Sequence, residues 1–367
     1  MKNVKNQTKQ YPKEYIFSNP NLKFNQIISK DNYSGGFKYI FEIFNSFQNK
    51  EVYLVSSNKR DYVLDIISLN KNRLENSLKG HNNFINLVKY FKKDNNNKEY
   101  LISTDKDNII IIWDINKKYS IFYKISECRS SQGFISGAII YFNNKDIYGK
   151  IDDYIIISFD FNYYTNIFSL EKQNKIGIIK QTNEHNTYYI LLWFNKKENN
   201  NFIIELSDKK IFIYDINKNS LFHEFNISYN NCKLNSGFIY NKNDNDYLIA
   251  SSDIGILIEI NLETKEIYHI SQYIFTKKQI GYTNSSKKKI YLSHILQWSN
   301  KYMIAFEYFN KGFIIMDIET FKLISYIKGK HTGGIIYAKK FFHPFYGESL
   351  LTSGQDNNII LWSKLKA

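Results

Sequence analysis

Cysteine, proline and methionine are scarce in this chain, with 2, 3 and 3 residues in 367. Cys128 and Cys232 form no disulfide framework, which fits a reducing compartment. Arginine is equally rare. Of the 49 basic residues only Arg60, Arg73 and Arg129 are arginines, so the formal charge of +14 is almost wholly a lysine charge. Dedicated phosphate readers usually use guanidinium forks. The chain is also crowded with Asn, Ile, Tyr and Phe, residues of A/T-rich codons, which points to the base composition of the source genome. No apolar run approaches the ~18 residues that a membrane-spanning helix needs. The opening residues Met1–Gln10 lack both the apolar stretch of a signal peptide and the Arg/Ser bias of a transit peptide. A soluble cytoplasmic protein is expected, and a nuclear one is compatible.

Several chemistries lack their motifs. There is no Gly-x4-Gly-Lys phosphate loop and no Gly-x-Ser-x-Gly elbow. The seven histidines show no paired spacing and the two cysteines stand apart, so neither a metal nor a cofactor is expected.

What the chain does have is apolar material, 43% hydrophobic and 17% aromatic, enough for a sizeable core. It comes in runs of about four to seven residues rather than in long amphipathic stripes, which predicts sheet throughout. The most informative stretch is 100–116, Tyr-Leu-Ile-Ser-Thr-Asp-Lys-Asp-Asn-Ile-Ile-Ile-Ile-Trp-Asp-Ile-Asn. Two β-branched runs flank a polar turn, which reads as a hairpin. Asp107 stands six residues before Trp113, and at 350–362 Asp356 stands six before Trp362. Gly80-His81 precedes the first copy and Lys330-His331 the second.

The six-residue step recurs. Asp61 leads to Ile67, Asn162 to Phe168, Asp208 to Tyr214 and Asn310 to Met316, while Asp253 leads to Ile260 with one extra residue. The strand ends at 67, 113, 168, 214, 260, 316 and 362 are separated by 46, 55, 46, 46, 56 and 46 residues. Four equal gaps and two longer ones describe one repeat with two loop insertions. The slot is always large and apolar or aromatic, which fits a buried packing position.

This pattern resembles the Trp-Asp (WD) repeat of β-propellers. The resemblance implies an all-β fold: a seven-bladed β-propeller of four-stranded antiparallel blades, spanning 18–367 as a single domain after a mobile tail at 1–17. The last blade ends on its third strand, so residues 21–29 are expected to supply the fourth and hide two sheet edges. In the family, the His of the leading loop bonds the turn Asp and connects through a Ser/Thr to the Trp indole. Carried over, that network comprises His81, Asp107 and Trp113, then His331, Asp356 and Trp362, and in part His185, Asp208 and Tyr214. Where the family has Ser/Thr two residues before the Asp, this chain has Asp105, Gly354 and Leu206. A catalytic His–Asp pair uses the same residue types, but no Ser or Cys nucleophile recurs with these pairs. A structural role is expected, and no enzyme.

The turns between second and third strands would lie on one face. They carry Lys59, Arg60, Lys106, Phe161, Tyr163, Tyr164, Lys209, Lys311 and Gln355. Cations and aromatics on a rigid frame suit capture of a peptide or an acidic protein patch, although most such residues simply stay solvated. A connection at 273–289 adds Lys277, Lys278, Lys287, Lys288 and Lys289. The expected role is a non-catalytic scaffold or adaptor that binds other proteins as a subunit of a hetero-complex. The alternative is an RNA- or acidic-lipid-binding propeller acting through the Lys-rich loops.

Overall fold

The computed structural model describes residues 24–29, 41–46, 51–58, 62–71, 73–93, 98–126, 135–142, 153–159, 164–180, 186–227, 232–272, 274–276, 287–289, 291–307, 312–327, 331–343, 346–356 and 358–364. The tail at 1–17 lies outside them. Among the described residues no helix is long and apolar enough to cross a membrane.

Every described element is a strand. β1 (Phe24–Ser29) stands alone in the chain before the first hairpins. The first sheet is β2 (Phe41–Asn45), β3 (Val52–Asn58), β4 (Val63–Ser68) and β5 (Arg73–Leu78). The second is β6 (Ile85–Lys93), β7 (Lys98–Asp105), β8 (Ile110–Asp114) and β9 (Ser120–Ile125). The third is β10 (Ile135–Phe142), β11 (Asp153–Phe159), β12 (Tyr164–Ser169) and β13 (Asn174–Lys180). The fourth is β14 (Thr187–Asn195), β15 (Asn200–Ser207), β16 (Lys210–Asp215) and β17 (Ser220–Asn226). The fifth is β18 (Leu234–Lys242), β19 (Asn245–Ser252), β20 (Ile256–Asn261) and β21 (Glu266–Gln272). A two-stranded ribbon, β22 (Ile274–Thr276) with β23 (Lys287–Lys289), fills part of the long connection. The sixth sheet is β24 (Leu292–Gln297), β25 (Tyr302–Glu307), β26 (Phe313–Asp317) and β27 (Leu323–Ile327). The last is β28 (Ile335–His343), β29 (Gly347–Gly354) and β30 (Ile359–Lys364), with β1 paired antiparallel to β30 from Phe24↔Lys364 to Ser29↔Ile360.

These are the small four-stranded antiparallel sheets of a β-propeller. Packing explains why the strands read as unbroken apolar runs. A sheet in the interior of such a stack buries both faces, so a third strand such as Ile110-Ile-Ile-Trp113 needs no polar alternation. The first and second sheets share a core of Val55, Leu64, Ile66, Leu101, Ile111 and Trp113. The fourth and fifth share Phe202, Ile204, Ile213, Leu248, Ala250 and Ile258. The first and last pack through Phe41, Ile43 and Leu54 against Leu351, Ile359 and Leu361. All seven slot residues, Ile67, Trp113, Phe168, Tyr214, Ile260, Met316 and Trp362, are buried. Each lies on the third strand of its sheet.

The glycine-poor chain makes its tight turns with other residues. Asn108, Asn199, Asn219 and Asn243 take left-handed φ between 48° and 58°, a region that asparagine tolerates better than most residues. Gly255, at φ 79°, sits in the one turn with an extra residue. The outer strands present Leu74, Ile121 and Ile267, which pair with slot residues Ile67, Trp113 and Ile260. All three are partly exposed.

Candidate functional site

The His-containing network of the second sheet is complete, but its acid is not the one expected. His81 Nδ1–H donates to Asp105 Oδ2 at 2.7 Å, and Ser103 Oγ bridges His81 Nε2 at 2.7 Å and the Trp113 indole N–H at 2.8 Å. Asp105 Oδ1 also accepts the amides of Asp107 at 2.9 Å and Ile109 at 3.0 Å, so the carboxylate ties the turn to the loop before it. Asp107 takes no part. It is exposed and accepts from Asn83 Nδ2 at 2.9 Å. The reason is side-chain direction: from the end of β7, Asp105 faces inward, while Asp107 stands at the tip of the turn.

In the last sheet the acid is Asp356. His331 Nδ1–H donates to Asp356 Oδ1 at 2.9 Å, while Thr352 Oγ1 bridges His331 Nε2 and the Trp362 indole N–H, each at 2.9 Å. Burial pushes the Asp356 carboxyl up, but His331 and the amides of Thr332 and Asn358 outweigh it and hold it down at about 2. The hydroxyl therefore stands two residues before the acid in one network, Ser103 to Asp105, and four before it in the other, Thr352 to Asp356. Asp105 and Gly354 were expected to occupy the hydroxyl position, so that reading was misregistered.

The fourth sheet has no such network among its described residues. His185 lies outside them, and Asp208 accepts instead from Asn186 Nδ2 at 3.0 Å and Tyr188 Oη at 3.1 Å. The Tyr214 hydroxyl is buried with no hydrogen-bond partner among the described residues.

Ser103, His81 and Asp105 are the residue types of a hydrolytic triad, yet the arrangement is inert. Ser103 is 0% exposed and its oxygen is capped by the Trp113 indole. A nucleophile needs a lone pair facing substrate. This one faces the core.

Of the residues expected on the turn face, Lys106, Lys209 and Gln355 are described and exposed. Their backbones are pinned. Lys106 N–H donates to Phe84 O at 3.0 Å, Lys209 N–H to Cys232 O at 3.0 Å and Gln355 N–H to Gly334 O at 2.9 Å. Lys106 Nζ lies 5.2 Å from the Phe84 ring centroid, and Tyr62 meets that ring edge-on at 5.3 Å. Lys59, Arg60, Phe161, Tyr163 and Lys311 fall outside the described residues, as do Lys277 and Lys278. Tyr164 and Lys287–Lys289 are described only as strand backbone.

A second constellation has no counterpart in the sequence reading. Lys89 of β6 donates from Nζ to Tyr337 Oη of β28 at 3.1 Å, although the first sheet lies between theirs. Tyr189 of β14 and His294 of β24 bring their rings to 6.3 Å across the fifth sheet, and His294 lies 5.4 Å from the Tyr337 ring. Side chains of non-adjacent sheets meet only near the common axis. Close by, Lys339 pairs with the buried Glu42, which also accepts the Tyr90 amide at 3.2 Å. Burial opposes the charge on Lys89, but the Tyr337 and Tyr189 phenols and the Glu42 carboxylate keep its pKa above the usual lysine value. Burial and Lys89 together push His294 down to about 3, so its ring is neutral at ordinary pH. A signal existed in the sequence. Tyr189, His294 and Tyr337 each follow the bulge in a first strand, as does Ser236. Aligning first strands, rather than slot residues, exposes that column.

Compared with known proteins, the chain matches no family profile and no curated sequence.

Proposed function

We propose that the chain is a degenerate WD-repeat propeller whose seven sheets form one ring, with β1 as the clasp, and that it acts as a non-catalytic scaffold in the cytoplasm. The two His–hydroxyl–Trp networks with their turn carboxylates support the family reading. The packing of the first sheet on the last and the β1–β30 pairing support the ring. The observation that carries the functional reading is the turn face. Lys106, Lys209 and Gln355 are held out by hydrogen-bonded turns on a rigid frame, which limits the entropy lost when a partner immobilises them. Their chemistry fits an acidic or polar segment of a partner protein, bound as one subunit of a larger assembly.

The test is affinity capture from the source cell with two baits, the native chain and a Lys106→Glu/Lys209→Glu/Gln355→Glu triple variant of equal thermal stability. The native bait should retain a stoichiometric protein that the variant loses. Identical partners on both baits would move the interface elsewhere, and recovery of nucleic acid alone would sink the scaffold reading.

A further inference from the structure

We propose that the propeller axis holds a binding site for a small oxyanion of the phosphate class, built from Lys89, Tyr189, His294 and Tyr337. The inference is independent of the scaffold reading and rests on the donors gathered there. Lys89 is half-buried and, among the described residues, has no carboxylate within ion-pair distance; its partner is the neutral Tyr337 hydroxyl. The nearest acid is occupied, since Glu42 is engaged by Lys339 and by the amides of Ile43 and Tyr90. Glu42 favours the charged form of Lys89 only from beyond ion-pair distance, which leaves the ammonium free to take an anion as a direct partner.

The other groups at the axis are donors as well. Tyr337 accepts from Lys89, which leaves its own hydroxyl proton to give. The Tyr189 hydroxyl makes no hydrogen bond among the described residues, and its ring stands beside His294. In the proposed site Ser236 Oγ–H donates to His294 Nδ1, 2.8 Å away, and the ring carries its own proton on Nε2. His294 is 8% exposed, and its Nε2–H has no partner among the described residues. One ammonium, two phenols and an imidazole thus come together from the second, fourth, sixth and last sheets, with the His294 ring 6.3 Å from that of Tyr189 and 5.4 Å from that of Tyr337. A small anion with several acceptor oxygens satisfies them together and balances the Lys89 charge. The rigid surround matches a free ion or one on a small carrier.

The experiment titrates inorganic phosphate into the full chain at constant ionic strength, balanced with sodium chloride, and follows both the melting temperature and the heat of binding. The expected result is saturable stabilisation that chloride does not reproduce. Lys89→Met should abolish it. Should that variant fail to fold, Tyr189→Phe leaves the charge in place and is expected to raise the half-saturating phosphate about tenfold, the loss of one charge-assisted hydrogen bond. O-phosphoserine distinguishes the source: weaker binding than phosphate marks a free-ion site, and tighter binding marks an oxyanion on an organic carrier. A shift that chloride matches, or one that Lys89→Met and Tyr189→Phe both leave unchanged, overturns the proposal.

Discussion

Gly354 leaves the room that Asp356 fills: a Cβ on Gly354 would stand 2.6 Å from Asp356 Oδ1 and 2.9 Å from the His331 ring Cγ. In the second sheet the matching position is Asp105, which bonds its histidine directly. The two networks therefore solve one problem with the acid at different places, and the absence of a side chain at 354 is part of the second solution. Gly354→Ala should lose about 1–3 kcal/mol by overpacking, read as a lowered urea midpoint at unchanged slope. Moving the acid, with Gly354→Asp and Asp356→Asn together, should be less damaging than the two single changes added. Additive losses would refute the exchange.

A parallel comparison decides which acid matters in the second sheet. Asp105→Ala strips a buried histidine and two turn amides of their acceptor, and about 2–4 kcal/mol should be lost. Asp107→Ala removes one exposed hydrogen bond and should stay within about 0.5 kcal/mol of the native chain. Equal effects, measured by chemical denaturation, would contradict the geometry.

These pairs also show where the sequence stops speaking. Slot residues at a regular step located the third strands, because a buried residue repeated once per sheet is a matter of spacing, and β4, β8, β12, β16, β20, β26 and β30 each contain theirs. The acid was misplaced because Asp107 and Asp356 are both acids at the same step before their tryptophans, while the matching positions two residues earlier hold Asp105 in one sheet and Gly354 in the other. Choosing among them needs the direction in which each turn aims its side chains. The axial residues escaped the alignment on slot residues for a different reason. Lys89 and Tyr337 are 248 residues apart, and it is the packing of the propeller's sheets that brings them together.

Tyr214 occupies a slot where two other sheets place a tryptophan with a bonded indole. Its hydroxyl has no partner among the described residues, and burial raises its pKa. A buried polar group without a hydrogen bond is a liability. Tyr214→Phe should therefore leave stability unchanged or raise it by about 1 kcal/mol. A clear loss would mean that the hydroxyl is hydrated or bonded.

Acid should weaken the fold in two separable stages. His294 sits at about 3 in the fold against the usual 6.5, because burial and the nearby Lys89 disfavour its charged form. Between those values the unfolded chain takes a proton that the folded chain refuses, so stability present above pH 6.5 is lost as pH falls toward 3, by about 1.4 kcal/mol per unit. His343 and His223 are also held low by burial and act in the same direction. Asp356 works lower down: with a folded pKa of about 2 against 3.8, its contribution persists above pH 3.8 and fades only below. His294→Gln should flatten the slope of stability with pH between about 4 and 6.5, leaving the share of the other two histidines. Parallel curves for native and His294→Gln chains across this window would show that the ring is not held neutral at the axis.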